Sequence, residues 1–449
     1  MVEGNMLIVI FLLALAALFF LILKLKVEPF ISLISVALVA ALALGFPLAD
    51  IPKTVATGFG NTLTGVGILI GLGVIFGQFL GVSSAIEKIA QAVLRVFGIK
   101  RSAAGLSLTG VAVSIPVFFD AAFVILSGLV RSLSRRTGIS IVTFVTALGI
   151  GLIVSHSMIA PTPGPLVVAE NTGADLGLFI LYGIICAIPA AMVGGYLYGT
   201  FIGKRIKTDA DAPEEEMIAD PVAAPRKEIS TGLSFFMLGL PIILILLNTV
   251  TQLWLEEGTL SNILGFIGDK NVALLISVIV ALIVLRPYIS VPYKDLYDDA
   301  INSAGMIILV TGAGGAFGAV INQSGIGDYL IGTMQGWSIP VLVLAFIFSQ
   351  ILRASLGSAT VALVTTSSIL GPMAVELGAS PILLGLAICA GAIGLSLPND
   401  SGFWVVNKFG RLTIPQTIQA WSVGGFIAGL TALAMVYLLS LLSGILPGI

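Results

Sequence analysis

Several polar and charged side chains in this 449-residue chain lie in apolar surroundings, and they are its candidates for chemistry. Arg353 sits in the run Arg353-Ala-Ser-Leu-Gly-Ser-Ala-Thr360, inside a long hydrophobic stretch. A guanidinium at membrane depth costs about 2.5–3.5 kcal/mol on the insertion scale, so it is kept where it has work or a partner. Its planar fork matches a carboxylate. Binding a substrate carboxylate is one role; an ion pair with Asp400 or Glu376, or snorkelling to the surface, are the others. Asp120 and Asp400 are acids in similar surroundings. Burial disfavours the charged form of a carboxyl, so such an acid can carry a proton near neutral pH. The plainer alternatives are a helix N-cap for Asp120 and a bond to exposed backbone for Asp400. His156 is the sole histidine, and an imidazole suits either a proton relay or a structural hydrogen bond. Ser355, Ser358, Thr360, Thr162 and Asn399 add hydroxyl and amide groups fit for a polyhydroxylated ligand, or for helix packing.

These residues need elements that hold them at depth. His156-Ser-Met-Ile-Ala-Pro-Thr-Pro-Gly-Pro165 cannot continue as a helix, because each proline removes a donor and clashes with the preceding turn. Leu397-Pro-Asn-Asp-Ser-Gly402 is a second cluster of this kind. Backbone groups freed within a membrane must be buried in protein or line a wet cavity. Two half-helix ends then offer N–H donors to an anion.

The composition supplies the membrane. The chain is 57% hydrophobic and 10% charged, against about 25% charged in soluble domains. A span needs about 20 mostly apolar residues. Such runs fall near 6–24, 28–48, 62–82, 141–168, 176–202, 232–254, 271–288, 301–321, 381–406 and 413–443. The first lacks a basic flank and a cleavage site and is expected to be retained. Two further stretches, 103–134 and 337–377, are interrupted at Ile115-Pro-Val-Phe-Phe-Asp120 and at the Arg353–Thr360 run, and read as re-entrant hairpins or double spans. The one long hydrophilic segment, 203–231, reads as a linker between an N-terminal half, 1–202, and a C-terminal half, 232–449.

The halves look related. Aligned without gaps, Asn61, Gly71, Gly73, Phe76 and Gly77 fall on Asn302, Gly312, Gly314, Phe317 and Gly318; one residue of shift later, Ser127, Gly138 and Ser140 fall on Ser367, Gly378 and Ser380. The order of spans, hairpin, broken span and final span recurs. The expected fold is therefore an all-α polytopic membrane protein of two repeats with five spans each. An odd number inverts the second repeat, a pattern found in secondary transporters. With the linker in the cytoplasm, all 21 cations except Lys53, Lys270 and Arg353 fall on the inner side, in keeping with the positive-inside rule. Both termini then lie outside.

Other chemistries find little support. Gly312-Ala-Gly-Gly-Ala-Phe-Gly318 has no flanking strand and no Lys-Ser/Thr ending, so it is no phosphate loop, and close helix packing explains the glycines better. Cys186 and Cys389 stand alone in apolar runs, and no metal motif is present. A net charge of −2 shows no bulk basic field for nucleic acid. An enzyme is not expected.

Taken together, Gly58-Phe-Gly-Asn61, Pro116-Val-Phe-Phe-Asp120, Ser155–Pro165, Thr311–Gly318, Ser355–Thr360 and Leu397–Trp404 make the chain resemble the gluconate:proton symporter family, a branch of the ion transporter superfamily. The resemblance covers nearly the whole length. It implies uptake of gluconate or a related hydroxy acid with a proton as coupling ion, in a bacterial inner membrane, by a homodimer whose hairpin-bearing parts move as an elevator. Substrates in the family include other sugar acids and D-serine. A sodium-coupled carboxylate carrier, a passive anion channel, and D-serine or D-glycerate as substrate remain the competing readings. On the carrier reading Arg353, Ser355, Ser358, Thr360, Thr162 and Asn399 bind substrate, and Asp120, His156 or Asp400 takes the proton.

Overall fold

In hydrocarbon every backbone N–H and C=O must be paired within the protein, and a helix does this inside its own segment. A computed structural model describes residues 4–98, 101–206, 227–254, 258–325, 340–374, 378–397 and 400–449. Among them the regular structure is helical, apart from one isolated bridge between Ser443 and Leu446. The first part contributes α1 (Asn5–Phe19), α2 (Pro29–Ala43), α3 (Ile51–Val82), α4 (Ala85–Phe97), α5 (Ser102–Val113), α6 (Phe119–Thr137), α7 (Ile141–Met158), α8 (Pro163–Thr172) and α9 (Leu176–Gly203). The linker lies largely outside the described residues. After it come α10 (Thr231–Trp254), α11 (Thr259–Gly268), α12 (Lys270–Val284), α13 (Tyr293–Gln323), α14 (Val341–Leu356), α15 (Ala359–Leu370), α16 (Pro381–Ile393), α17 (Ser401–Gly410) and α18 (Ile414–Ser440).

Among the described residues five helices, counting α7 with α8 as one, are long and apolar enough to cross a membrane, and up to seven if two bent pairs each make a span. The bent pairs are the two parts of α3, at 48°, and α11 with α12, at 64°. The apolar runs of the sequence predict ten. The run 62–82 is the apolar end of α3, which reaches back through the polar Lys53, Thr54 and Asn61 to Ile51. The run 301–321 likewise begins at Tyr293. In the other direction, α2 has 15 residues and α16 has 13, because breaks and turns divide their apolar runs.

Each of the two interrupted stretches contains a tight helix–turn–helix unit. The first joins α5 to α6 through 114–118, where the Ser114 hydroxyl donates to the Val117 carbonyl at 2.9 Å. The second joins α14 to α15 through two residues. Gly357 takes φ 67°, which its missing Cβ allows, and the Ser358 Oγ accepts the Val361 N–H at 3.3 Å to cap α15. The first broken segment divides α7 from α8. There the Thr162 hydroxyl lies 3.0 Å from the His156 carbonyl and 2.6 Å from that of Ile159, so it serves backbone oxygens that the proline-rich break leaves without helical donors. The second divides α16 from α17.

Two features hold these units in place. Helix α7 is buried along nearly all its length and packs on α5 and α6. Helices α3 and α13 cross at backbone contact: a Cβ on Gly58 would fall 2.5 Å from the Ala319 Cβ and 2.7 Å from the Gly315 oxygen. Each also backs a hairpin, since Gly77 of α3 abuts the Pro116 carbonyl and Gly318 of α13 abuts that of Ser368. At one edge α4 buries Ala85, Ile86, Ile89 and Ala90 on one face. Lys88 from the same helix pairs with Glu228 at 2.9 Å, and that hydrogen bond and charge hold the Glu228 carboxyl below its ordinary range.

Gly58→Val should therefore force α3 and α13 apart and cost about 1–3 kcal/mol or more. Gly71→Ala, on the same helix with open space at its Cβ, should not. Thermal melting of the detergent-solubilised protein, with the two variants side by side, checks the crossing.

Candidate functional site

The two hairpin turns and two breaks converge on a small polar cluster. At its centre Arg353, in the last turn of α14, is only 1% exposed. Its Nη2 donates to Asp400 Oδ2 at 2.5 Å. Asp400 comes from the second break and does two things at once. Its Oδ1 accepts the Gly402 N–H at 3.0 Å, capping α17, while its Oδ2 takes Arg353 and the Ser396 hydroxyl. Ser396 is held in turn. The Trp421 indole N–H donates to its Oγ at 2.7 Å, and the Ser422 hydroxyl donates to its carbonyl. The carboxylate is thus fixed by helix end, hydroxyl and guanidinium together. Among the described residues the Arg353 Nε and Nη1 donors have no hydrogen-bond partner.

His156 forms the facing wall. Its Nε2 lies 3.5 Å from the Thr360 hydroxyl in the first turn of α15, and its ring packs on Phe118 at 5.7 Å between centroids. Its Nδ1 is buried without a partner, as are the hydroxyls of Ser155 and Ser157 on either side. The first hairpin turn closes the cluster from the other direction. Phe119 packs on Trp421 at 4.8 Å, and Gly402 has no Cβ to meet the Phe119 ring.

The structure thus brings together Arg353, Asp400, His156, Thr360 and Thr162. Of the two partners foreseen for Arg353, Asp400 is the one found; Glu376 lies outside the described residues, and snorkelling is excluded by burial. Asp400 does bond exposed backbone, and it carries the ion pair as well. Asn399 lies outside the described residues. For Ser355, within α14, only the backbone is described. The Ser358 hydroxyl is engaged as the α15 cap. Asp120 is not the N-cap of α6. Phe118 holds that position, and Asp120 sits half-buried in the first turn, where a negative charge favours the helix dipole. Three residues of the cluster escaped sequence reasoning: Ser396, Trp421 and Gln350. Ser396 lies one residue outside the breaker cluster. Trp421 and Gln350 are polar groups inside apolar helices, and Gln350 stands one helical turn before Arg353, which was the available signal.

Chemically, the cluster is a buried, neutral cation–anion pair with spare donors on the cation, enclosed by hydroxyls, an imidazole and two aromatic faces. It holds no nucleophile–base pair aimed at a common point. Such a site, set at the broken ends of membrane helices, belongs to a membrane transport protein.

Comparison with known proteins agrees. The family model for the GntP family permease matches residues 6–442. The chain is 36% identical over 430 residues to the "Inner membrane permease YgbN" of Escherichia coli K12, covering 92% of this chain and 93% of that one. It is 32% identical to the "Low-affinity gluconate transporter" of the same strain, with the same coverage, and 32% identical to the "Gluconate permease" of Bacillus subtilis 168, covering 97% and 99%. Among solved structures, the Alcanivorax borkumensis YdaH transporter superposes with a TM-score of 0.64 at 16% identity, covering 92% of this chain and 98% of that one, a likeness of fold. The chain belongs to the GntP family: it is a permease and not an enzyme.

Removing one member of a buried ion pair costs about 3–5 kcal/mol, whereas replacing both by apolar residues is often neutral. Asp400→Leu should accordingly lower the melting temperature sharply, and Arg353→Met with Asp400→Leu should recover most of the loss. The unrecovered remainder, about 1 kcal/mol, is the lost α17 cap. A double-mutant cycle on purified protein measures all three.

Proposed function

We propose that this permease takes up gluconate or a related sugar acid by proton symport through a single site at the Arg353–Asp400 pair. The observation that carries the reading is the pair itself, a buried guanidinium whose Nε and Nη1 have no hydrogen-bond partner among the described residues, facing a carboxylate. Relatives that share 32% identity along nearly all of this chain bear gluconate in their names.

The coupling follows from charge. Arg353 and Asp400 together are neutral. A substrate carboxylate arriving alone would leave a net negative charge in a medium where an uncompensated ion costs several kcal/mol. A proton arriving alone would leave a net positive one. When both arrive, the proton neutralises Asp400 and releases Arg353 to hold the carboxylate, and the site is neutral again. Singly loaded states are suppressed and the two ligands move together. His156, beside Thr360, relays the proton or shares it; Asp120, at the first hairpin, is the third candidate. Thr360, Thr162, Ser355, Ser358 and Asn399 line the substrate's polyol, those with committed hydroxyls through their backbone or after rearrangement.

The order of elements from α3 to α9 and from α13 to α18 supports two inverted repeats. Each runs from a long helix, of 32 and 31 residues, through a hairpin and a broken pair to a long closing helix. One arm of each hairpin, α5 and α15, has 12 residues and spans about 18 Å, too short to cross the hydrocarbon. On this reading the hairpins and breaks carry the site across as an elevator while α3 and α13 frame it. The linker is cytoplasmic, both termini are outside, and the protein is a homodimer in a bacterial inner membrane.

Proteoliposomes test this. An inward proton gradient should drive gluconate above its outer concentration and acidify the lumen. Accumulation that persists with a protonophore but fails when choline replaces sodium would assign the coupling to sodium, and passive equilibration alone would mark a channel. Arg353→Gln should raise the half-saturating gluconate concentration at least about 30-fold, from 2–5 kcal/mol of lost pairing. Asp400→Asn should keep gluconate exchange across the membrane while losing proton-driven accumulation.

A further inference from the structure

Gln350 is a buried polar side chain near the site that the coupling scheme does not use. It lies on α14, three residues before Arg353, and is 5% exposed. Neither the oxygen nor the nitrogen of its carboxamide has a hydrogen-bond partner among the described residues. A buried amide group without a partner costs about 1–3 kcal/mol, so an apolar helix does not keep one idle.

Its position is defined by its neighbours. The amide packs over Gly394, where the second break begins: a Cβ there would lie 2.9 Å from Gln350 Oε1 and 3.1 Å from Nε2. The same missing Cβ would fall 2.9 Å from the Phe426 Cα, so the amide is lodged between the break and α18. Two residues on, Ser396 holds Asp400. Residues three apart on a helix are neighbours, with about 5–6 Å between their Cβ atoms. Gln350 and Arg353 therefore offer two sets of unused polar atoms side by side: Nε and Nη1 of the guanidinium, donors only, and a carboxamide that both donates and accepts. A hydroxyl also donates and accepts. A ligand with a hydroxyl on the carbon next to its carboxylate offers a partner to each residue.

We infer that Gln350 reads the 2-hydroxyl of the substrate, so that the permease is selective for 2-hydroxy acids. The inference rests on the sugar-acid reading above and sharpens it. Arg353 takes the carboxylate, common to every candidate substrate. Gln350 separates a 2-hydroxy acid from the same acid without that group. A site with a committed hydrogen-bonding group discriminates strongly against an analogue that leaves it unpaired. Gln350 is here a specificity residue, with no part in the proton step.

The test is competition for uptake between gluconate and 2-deoxygluconate in proteoliposomes. The wild-type protein should favour gluconate at least about tenfold. Gln350→Met keeps an unbranched side chain of similar length and loses the amide. Its preference should fall to within about twofold, chiefly through weaker gluconate binding, with 2-deoxygluconate uptake little changed. Because an unpaired amide has been removed, its melting temperature should not fall. Should the methionine variant fail to insert, Gln350→Asn, which draws the amide back by one methylene, should also reduce the preference. Equal handling of the two acids by wild type, or an unchanged preference in either variant, overturns the assignment while leaving sugar-acid uptake standing. Transport of neither acid by wild type overturns both.

Discussion

One buried ion pair organises the core of this permease. Arg353 and Asp400 come from different structural units, the end of a hairpin helix and the start of a half-helix, and neither is stable in its surroundings alone. Their attraction sets where the second hairpin meets the second break. What surrounds the pair maintains it: Ser396 and the α17 N-terminus hold the carboxylate, and Trp421 and Ser422 hold Ser396. Buried pairs of this kind contribute little to stability in themselves. On the proposed coupling, the pair supplies a charge that can be exchanged.

The frame around the pair is built from backbone. Glycines at the α3–α13 crossing bring two long helices into direct contact, and further glycines seat both hairpins against them. The proline-rich break between α7 and α8 is supported from within, by the Thr162 hydroxyl on two carbonyls. Rigid close packing in the long helices and locally satisfied breaks let polar residues sit at depth without dragging water to every freed backbone group.

Much of this was legible in the sequence, and for physical reasons. An apolar run long enough to span, interrupted by proline and glycine, has few ways to satisfy its backbone, so the breaks at 159–162 and 394–400 and the turns at 114–118 and 357–358 announce themselves. A lone arginine in such a run points to a partner, and Asp400 was within view. Partner geometry was not. Ser396, Trp421 and Gln350 are ordinary residues until the chain folds, and no local pattern says that an indole from α18 reaches a serine in the second break. Span ends were also hidden, because hydropathy sees apolar length and not the polar turns by which α3 and α13 extend beyond it. Asp120, for which capping a helix was the alternative reading, lies two positions past the cap residue Phe118.

The Arg353–Asp400 pair also bears on electrical behaviour. On the proposed coupling, the empty carrier returns with a neutral pair, and the loaded carrier crosses with a protonated acid and a guanidinium balanced by the substrate anion. No net charge traverses the membrane in either half of the cycle. Uptake would then draw on the pH difference alone and be insensitive to the membrane potential, so a cell with a collapsed voltage and an acidic exterior would still be able to feed.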